Sequence, residues 1–137
     1  MDKYSEENII SFLIEQIGSE KITSRTDIFS GLRGDDFHEM MDKYQKTFHV
    51  DMSCYLWYFH SDGEGRGFIG SSFFKPPCQR VERIPVTPRM LLDFANSGKW
   101  IINYPEHNLP QRRYDLIVNG ILMIGCFIAL IIYFVRK

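Results

Sequence analysis

"GDDFHEMMDKYQKTF", residues 34–48, places two carboxylates ahead of apolar residues that recur three and four positions apart. This spacing predicts an amphipathic helix, whose apolar stripe consists of Phe37, Met40, Met41, Tyr44 and Phe48. Carboxylates stabilise the first turn of a helix because they face the positive end of its dipole. Asp36 followed by Glu39 three residues later predicts a start similar to a capping box.

A second amphipathic helix is predicted upstream of this segment. Ser5 is a suitable N-cap because Glu6 and Glu7 follow it, and Gly18 is a suitable C-terminal stop. The apolar positions expected to be buried are Ile10, Leu13, Ile14 and Ile17. A polar loop of some sixteen residues then leads to the acidic segment.

A third helix is indicated by "VTPRMLLDFANSGKW", residues 86–100. Thr87 is the expected N-cap, Pro88 suits the first helical position, and Gly98 suits the position after the helix. Val86 and Leu91 are expected to pack together across the cap. The three segments together predict a small all-α domain.

The last part of the chain, "LIVNGILMIGCFIALIIYFV" at residues 116–135, contains no charged residue. Twenty helical residues span about 30 Å, the hydrocarbon thickness of a bilayer. Thirteen of the twenty are Leu, Ile, Val or Phe. We therefore expect a single C-terminal transmembrane helix that holds the protein as a tail anchor.

The orientation of this helix does not follow from the positive-inside rule, since Arg112 and Arg113 precede it and Arg136 and Lys137 follow it. The N-terminus carries acidic residues where a signal peptide requires basic ones. The three cysteines form no CxxC pair and suit free thiols in a reducing compartment. The domain is therefore expected in the cytoplasm, at the inner (cytoplasmic) membrane.

The loop before the acidic helix, "DIFSGLRGDDF" at residues 27–37, resembles the acyl carrier protein run Asp-x-Phe-x-x-Leu-Gly-x-Asp-Ser-Leu. It matches at Asp27, Phe29, Leu32 and Asp35, and Asp36 occupies the position of the carrier serine. With "FHVDM" at 48–52 and "GKW" at 98–100, the chain resembles more closely a bacterial carrier-like family, domain of unknown function number fourteen ninety-three, over roughly residues 5–100.

The resemblance implies a carrier-protein-like helical bundle without carrier chemistry, because a carboxylate at Asp36 cannot hold the phosphopantetheine phosphodiester. We expect a domain at 1–100 with an irregular insertion at about 60–84, a juxtamembrane linker at 101–114 and the membrane anchor at 115–137. The expected function is a non-enzymatic adaptor without a cofactor. A basic protein partner would bind the acidic surface of Asp35, Asp36, Glu39 and Asp42, as partners bind the corresponding surface of carrier proteins.

An alternative function is a structural subunit of an inner-membrane complex, assembled through Gly125 and Ala129 on one face of the membrane helix. Other chemistry has less support. "GRGFIG" at 65–70 satisfies G-x-G-x-x-G, but Pro76 and Pro77 exclude the long helix that a dinucleotide site requires. The histidines and cysteines lack metal-ligand spacing.

Charge also bears on the kind of partner. Residues 1–62 hold twelve acidic against six basic residues, net −6, whereas residues 63–115 hold five against eight, net +3. The acidic first half argues against nucleic acid as a partner, and the basic second half suits anionic lipid headgroups. The aromatic residues of the 56–84 stretch are expected to fill a core, and Phe68, Ile69, Phe73 and Phe74 would form a partner or membrane surface if they were exposed.

Overall fold

A computed structural model describes residues 3–30, 32, 35–61 and 69–136. Within these residues the regular structure is helical, and backbone pairing of the β type is confined to one isolated bridge between Asp51 and Lys99. The α-helices are α1 (Glu6–Ile17), α2 (Asp35–Phe48), α3 (Ile69–Phe73), α4 (Pro88–Ser97) and α5 (Tyr114–Val135). Short 3-10 turns occupy Trp57–Phe59 and Pro77–Gln79. The all-α prediction is confirmed.

The ends of α1 follow the prediction, but its buried face does not. Ser5 and Asn8 form a capping box, and Gly18 has φ 71° and donates its N–H to the Ile14 carbonyl at 2.8 Å. The buried residues are Ile9, Phe12 and Leu13, while the predicted Ile10, Ile14 and Ile17 are half-buried. The helix is turned so that the large ring of Phe12 packs on Phe48 and Tyr44, with ring centroids 5.4 and 6.2 Å away.

The apolar stripe of α2 is confirmed, since Phe37, Met40, Met41, Tyr44 and Phe48 are all buried. Tyr44 also donates its hydroxyl to the Leu91 carbonyl at 2.6 Å and so joins α2 to α4. The helix begins at Asp35, so Asp36 occupies its second position rather than the predicted cap position. Its carboxylate still lies in the first turn, where the helix dipole favours negative charge.

The caps of α4 agree with the sequence in every predicted feature. Thr87 accepts the Met90 N–H through its hydroxyl, Pro88 opens the helix, and Gly98 ends it with φ 75°. Val86 and Leu91 are both fully buried in the same core. The Val86 carbonyl also accepts the N–H of Ile28 at 2.9 Å, which ties the long loop after α1 to the start of α4.

The 60–84 segment contains more structure than the sequence predicted. Helix α3 ends before Pro76 and packs against α5. The contact is made at Gly70, which lies so close to α5 that no side chain would fit there. The Gly70 N–H donates to Asn119 Oδ1 at 2.8 Å. Gly65 to Phe68, which include most of the G-x-G-x-x-G run, lie outside the described residues.

The expectation that the aromatic stretch fills a core is wrong for α3 and its flank. Phe59 is fully buried, but Ile69, Phe73 and Phe74 are 60, 74 and 40 % exposed. Phe68 lies outside the described residues. The physical reason is that α3 has only five residues and uses Gly70, not its large side chains, to contact α5.

Helix α5 stands apart from the domain core. It has 22 residues, and none of its most apolar 18-residue window is buried inside the protein. Its length and composition are sufficient to cross a membrane. Burial in a protein interior does not account for its apolar composition.

Candidate partner-binding groove between α1 and α2

A groove of about 510 Å³ lies where the end of α1 meets the first turns of α2. It is lined by Glu15, Gln16, Ile17, Leu32, Asp36, Glu39, Met40 and Lys43. The two helices contribute polar side chains at its rim, while Ile17, Leu32 and Met40 provide apolar surface. We refer to this feature as the acidic groove.

The charge of the acidic groove is negative. Among the lining residues that the structure describes, Glu15, Asp36 and Glu39 give three negative charges and Lys43 one positive charge, a net of −2. Lys43 Nζ lies 2.9 Å from Glu39 Oε1, but both side chains are largely exposed. Exposed pairs of this kind contribute about 0 to 1 kcal/mol, so Glu39 can exchange Lys43 for another cation at little cost.

The four predicted partner-binding residues do not all meet in this groove. Asp36 and Glu39 line it, and both are exposed. Asp42 lies outside it, and its carboxylate pairs with Lys46 at 2.6 Å. Asp35 is the first residue of α2, and its side chain lies outside the described part of the chain.

Sequence reasoning missed Glu15, the third carboxylate of the groove. Glu15 lies at the end of α1, twenty-one positions before Asp36. Only the packing of the two helices brings these residues to one groove. The polar pair Glu15 and Gln16 near the end of the amphipathic helix was the available signal, and it indicated only solvent exposure.

The loop that leads into the groove is held by the residues of the carrier-like motif. Asp27 accepts the Phe29 N–H through Oδ1 at 3.3 Å and pairs through Oδ2 with Arg83 at 2.6 Å. The Phe29 ring packs edge-on against Phe37, with centroids 4.6 Å apart. These contacts hold the loop at Asp27 and Phe29, and Leu32, further along it, lines the groove.

The side chains at the acidic groove determine which ligands are chemically complementary to it. Position 36 presents a carboxylate at the start of α2, and Ser30 lies earlier in the loop, where its N–H donates to the Asp27 carbonyl at 3.1 Å. Carboxylates beside apolar residues are complementary to the side chains of Lys and Arg, which have apolar stems and charged ends.

The second polar cluster of the domain is buried around His60, which has no exposed surface. His60 Nδ1 lies 2.8 Å from the Ile84 carbonyl and therefore donates to it, which leaves Nε2 to accept from the Tyr104 hydroxyl at 2.8 Å. The Tyr104 oxygen accepts from Trp100 Nε1 at 2.8 Å and from the Leu56 N–H at 3.2 Å. All hydrogen-bonding positions of the Tyr104 hydroxyl are used, as expected of a structural network.

This network predicts a pH-dependent stability. Burial lowers the pKa of His60 below its ordinary value of 6.5. The hydrogen bond to Ile84 and the charge of Asp27 oppose this effect, and the charge of Arg83 adds to it. At a pH well above 6.5 the ring is neutral in the folded and unfolded states. Below that pH the unfolded chain binds a proton that folded His60 resists, so the free energy of unfolding decreases as pH falls toward the lowered pKa.

The slope of this decrease should not exceed about 1.4 kcal/mol per pH unit for one proton. Urea unfolding followed by tryptophan fluorescence measures it directly, since Trp57 and Trp100 both belong to the helical domain. His60→Asn should be less stable at neutral pH because the network is broken, but its slope between about pH 6.5 and 5 should be shallower. An unchanged slope in the variant would refute this role of His60.

Two remaining predictions concern metals and the membrane helix. The described residues contain no group of three or more His, Cys, Asp or Glu side chains arranged to hold a metal ion.

A β-carbon built at Gly125 would meet no atom within 4 Å, and Ala129 lies beside Ile132, Tyr133 and Arg136 at a shallow groove on α5. Gly125 and Ala129 therefore lie on an open stretch of the helix.

Comparison with known proteins identifies the family of the chain. No match was found among the curated proteins or among the solved structures. The model of the family described as Protein of unknown function (DUF1493) matches residues 3–103, which include the whole acidic groove. This match covers most of the chain and confirms the resemblance to domain of unknown function number fourteen ninety-three. The protein therefore belongs to the family Protein of unknown function (DUF1493).

Proposed function

We propose that this protein is a non-enzymatic, membrane-tethered binding module, in which the acidic groove holds a basic segment of a partner protein. The observation that carries the proposal is that Glu15, Asp36 and Glu39 line one groove, whose lining also includes the apolar residues Ile17, Leu32 and Met40. Complementary charge steers association and selects partners. The partner is accordingly a protein rather than a nucleic acid, whose phosphates the groove would repel.

A carrier-protein-like origin of the domain is part of this proposal. It is supported by the match at Asp27, Phe29, Leu32 and Asp35, and by the position of the groove beside the acidic start of α2. Carrier proteins present the corresponding surface to basic partners. Asp36 in the serine position supports recognition without phosphopantetheine or another cofactor.

The tether in this proposal is α5, crossing the inner (cytoplasmic) membrane with the helical domain on the cytoplasmic side. Its 22 residues and the absence of burial along its apolar window support a membrane-spanning role. The orientation is supported by the free thiols of Cys54 and Cys78 in the helical domain, which suit a reducing compartment.

The test is partner capture from gently solubilised membranes by a double variant, Glu15→Lys with Glu39→Lys. This change converts the groove from net −2 to net +2. We expect retention of the partner to fall at least about tenfold, equivalent to ~1.4 kcal/mol of binding free energy. Asp42→Lys is a control with half this change in charge. It breaks an equivalent exposed pair between residues four positions apart on the same helix, but it lies outside the groove.

Circular dichroism and tryptophan fluorescence of each variant must match the unmodified protein, so that loss of capture is not a consequence of unfolding. A loss of binding free energy in Asp42→Lys that is half or more of the loss in the double variant would indicate a diffuse charge effect and reject the groove. Undiminished capture in the double variant would reject it as well.

A second candidate function is a structural subunit of a membrane complex assembled through α5. The observation in its favour is the open approach to Gly125 on an exposed helix, four residues before Ala129. Small residues at this spacing permit close helix packing in membranes. Under this alternative Gly125→Leu would abolish capture and the groove variant would leave it intact, which is the reverse of the adaptor expectation.

A further inference from the structure

Helix α3 exposes an apolar surface beside the beginning of α5. Ile69 and Phe73 are mostly exposed, Phe74 is 40 % exposed, and Tyr114 of α5 is 47 % exposed with its ring centroid 5.7 Å from that of Phe74. This surface, which we call the α3 foot, consists of Ile69, Phe73 and Phe74. It is continuous with the exposed apolar side chains of α5.

The packing of α3 fixes the position of the foot along α5. The Gly70 N–H donates to Asn119 Oδ1 at 2.8 Å, and a β-carbon at Gly70 would collide with the Asp115 carbonyl. Asn119 lies five residues after Tyr114, about 7 Å along the helix axis. The interfacial layer of a bilayer is about 5 to 8 Å thick on each side, so α3 lies level with that layer if α5 spans the membrane.

The Gly70 contact also provides a hydrogen-bond partner for a polar side chain of α5, Asn119. Asn119 is an amide within a charge-free apolar run, and an unpartnered amide costs free energy when it leaves water. The backbone of α3 provides a donor for this amide at the membrane boundary. A membrane role for α5 thus explains why a short helix is placed beside its first turns.

The charges around the foot are those expected at a lipid surface. Basic side chains flank it on both adjoining segments, at Lys75, Arg80 and Arg112. The charge of Arg113 is paired with the Asp115 carboxylate at 2.6 Å. Cationic side chains with Tyr at the same level are typical of the membrane interface and favour anionic headgroups. A protein partner would leave the continuity between the foot and the lipid-facing surface of α5 unexplained.

We infer that the α3 foot is inserted into the bilayer interface, where Ile69, Phe73 and Phe74 reach the boundary between headgroups and acyl chains beside α5. This inference rests on the proposed function in one respect, namely that α5 spans a membrane. The foot fixes the rotation and height of the helical domain above the membrane. The ligand it contacts is the phospholipid surface itself.

The test uses spin labels on the full chain in nanodiscs of phosphatidylcholine and phosphatidylglycerol. Cys54, Cys78 and Cys126 are first replaced, and single cysteines are then placed by Phe73→Cys in the foot, Leu130→Cys within α5 and Lys46→Cys on the exposed face of α2. Oxygen concentrates in lipid, and a neutral nickel complex concentrates in water. The label at position 73 should have a several-fold higher ratio of oxygen to nickel accessibility than the label at position 46.

The three labels distinguish the failure of this inference from the failure of the membrane tether. A lipid-exposed label at 130 with a water-exposed label at 73 would overturn the foot and leave the tether intact. A label at 73 shielded from both reagents would also overturn it and indicate a protein contact, including a second copy of the chain. A water-exposed label at 130 would overturn the tether and the foot together.

A second variant tests the geometry. Gly70→Val in the Phe73→Cys background places a side chain where α3 contacts α5. We expect the oxygen-to-nickel ratio at position 73 to fall toward that at position 46, while tryptophan fluorescence of the helical domain stays unchanged. A ratio that survives Gly70→Val would show that the foot does not depend on its packing against α5 and would contradict the proposed placement.

Discussion

A chain that ends after Asp115 will leave the membrane pellet in an alkaline-carbonate wash, whereas the full chain will stay in it. The thirteen Leu, Ile, Val and Phe residues of 116–135 favour insertion by roughly −4 to −8 kcal/mol, with Asn119 and two glycines as modest penalties. The α3 foot alone offers three large apolar side chains, which support only peripheral binding. Immunoblots of pellet and supernatant measure the difference.

A matched control replaces residues 116–135 with an equally long Leu/Ala helix. This control should restore the protein to the pellet, because retention depends on apolar length rather than on a particular sequence. A truncated chain that resists the carbonate wash would contradict the tether and assign anchoring to the domain.

The largest loss of stability from one core substitution is expected for Phe37→Ala. Phe37 is fully buried at the start of α2, and its ring packs against Phe29 of the loop at 4.6 Å. Removing a buried phenylalanine side chain costs about 3 to 5 kcal/mol through lost burial and the cavity that remains. Urea unfolding in mild detergent, followed by tryptophan fluorescence, reports the helical domain separately from α5.

Gln45→Ala is the matched control on the same helix, because this side chain is exposed. It should change the free energy of unfolding by no more than about 0.5 kcal/mol. A loss below about 1 kcal/mol for Phe37→Ala would mean that the loop and α2 are not packed as the structure has them.

The parts of the fold that sequence predicted correctly are those set by local interactions. Thr87, Pro88 and Gly98 act within one or two turns, so the bounds of α4 can be read without its neighbours. The apolar residues of α2 form one continuous face, so the spacing alone predicts which side of the helix is buried. The face of α1 was wrong because both Ile9 with Phe12 and Ile10 with Ile14 fit helical spacing, and only packing against α2 selects the first set.

In the candidate site, too, contacts within one helix could be predicted from the sequence and contacts between helices could not. Asp36 and Glu39 share a helix, so their proximity follows from spacing alone. Glu15 joins them only through the packing of α1 beside α2, which no local pattern encodes. The contact between Gly70 and Asn119 joins residues 49 positions apart, and a glycine in an irregular stretch gives no sign of the helix it meets.

The central claim, that the acidic groove binds a partner protein at the membrane, is tested most directly by photo-crosslinking in living cells. A photoreactive amino acid replaces Lys43, which lines the groove, or Lys46, which lies three residues further on and outside it. Both side chains are exposed, so each position can react with any protein that approaches. The account predicts a discrete crosslinked protein from position 43 in the membrane fraction and a much weaker product from position 46. Equal products from both positions, or none from position 43 while a probe at Leu130 crosslinks strongly, would contradict it.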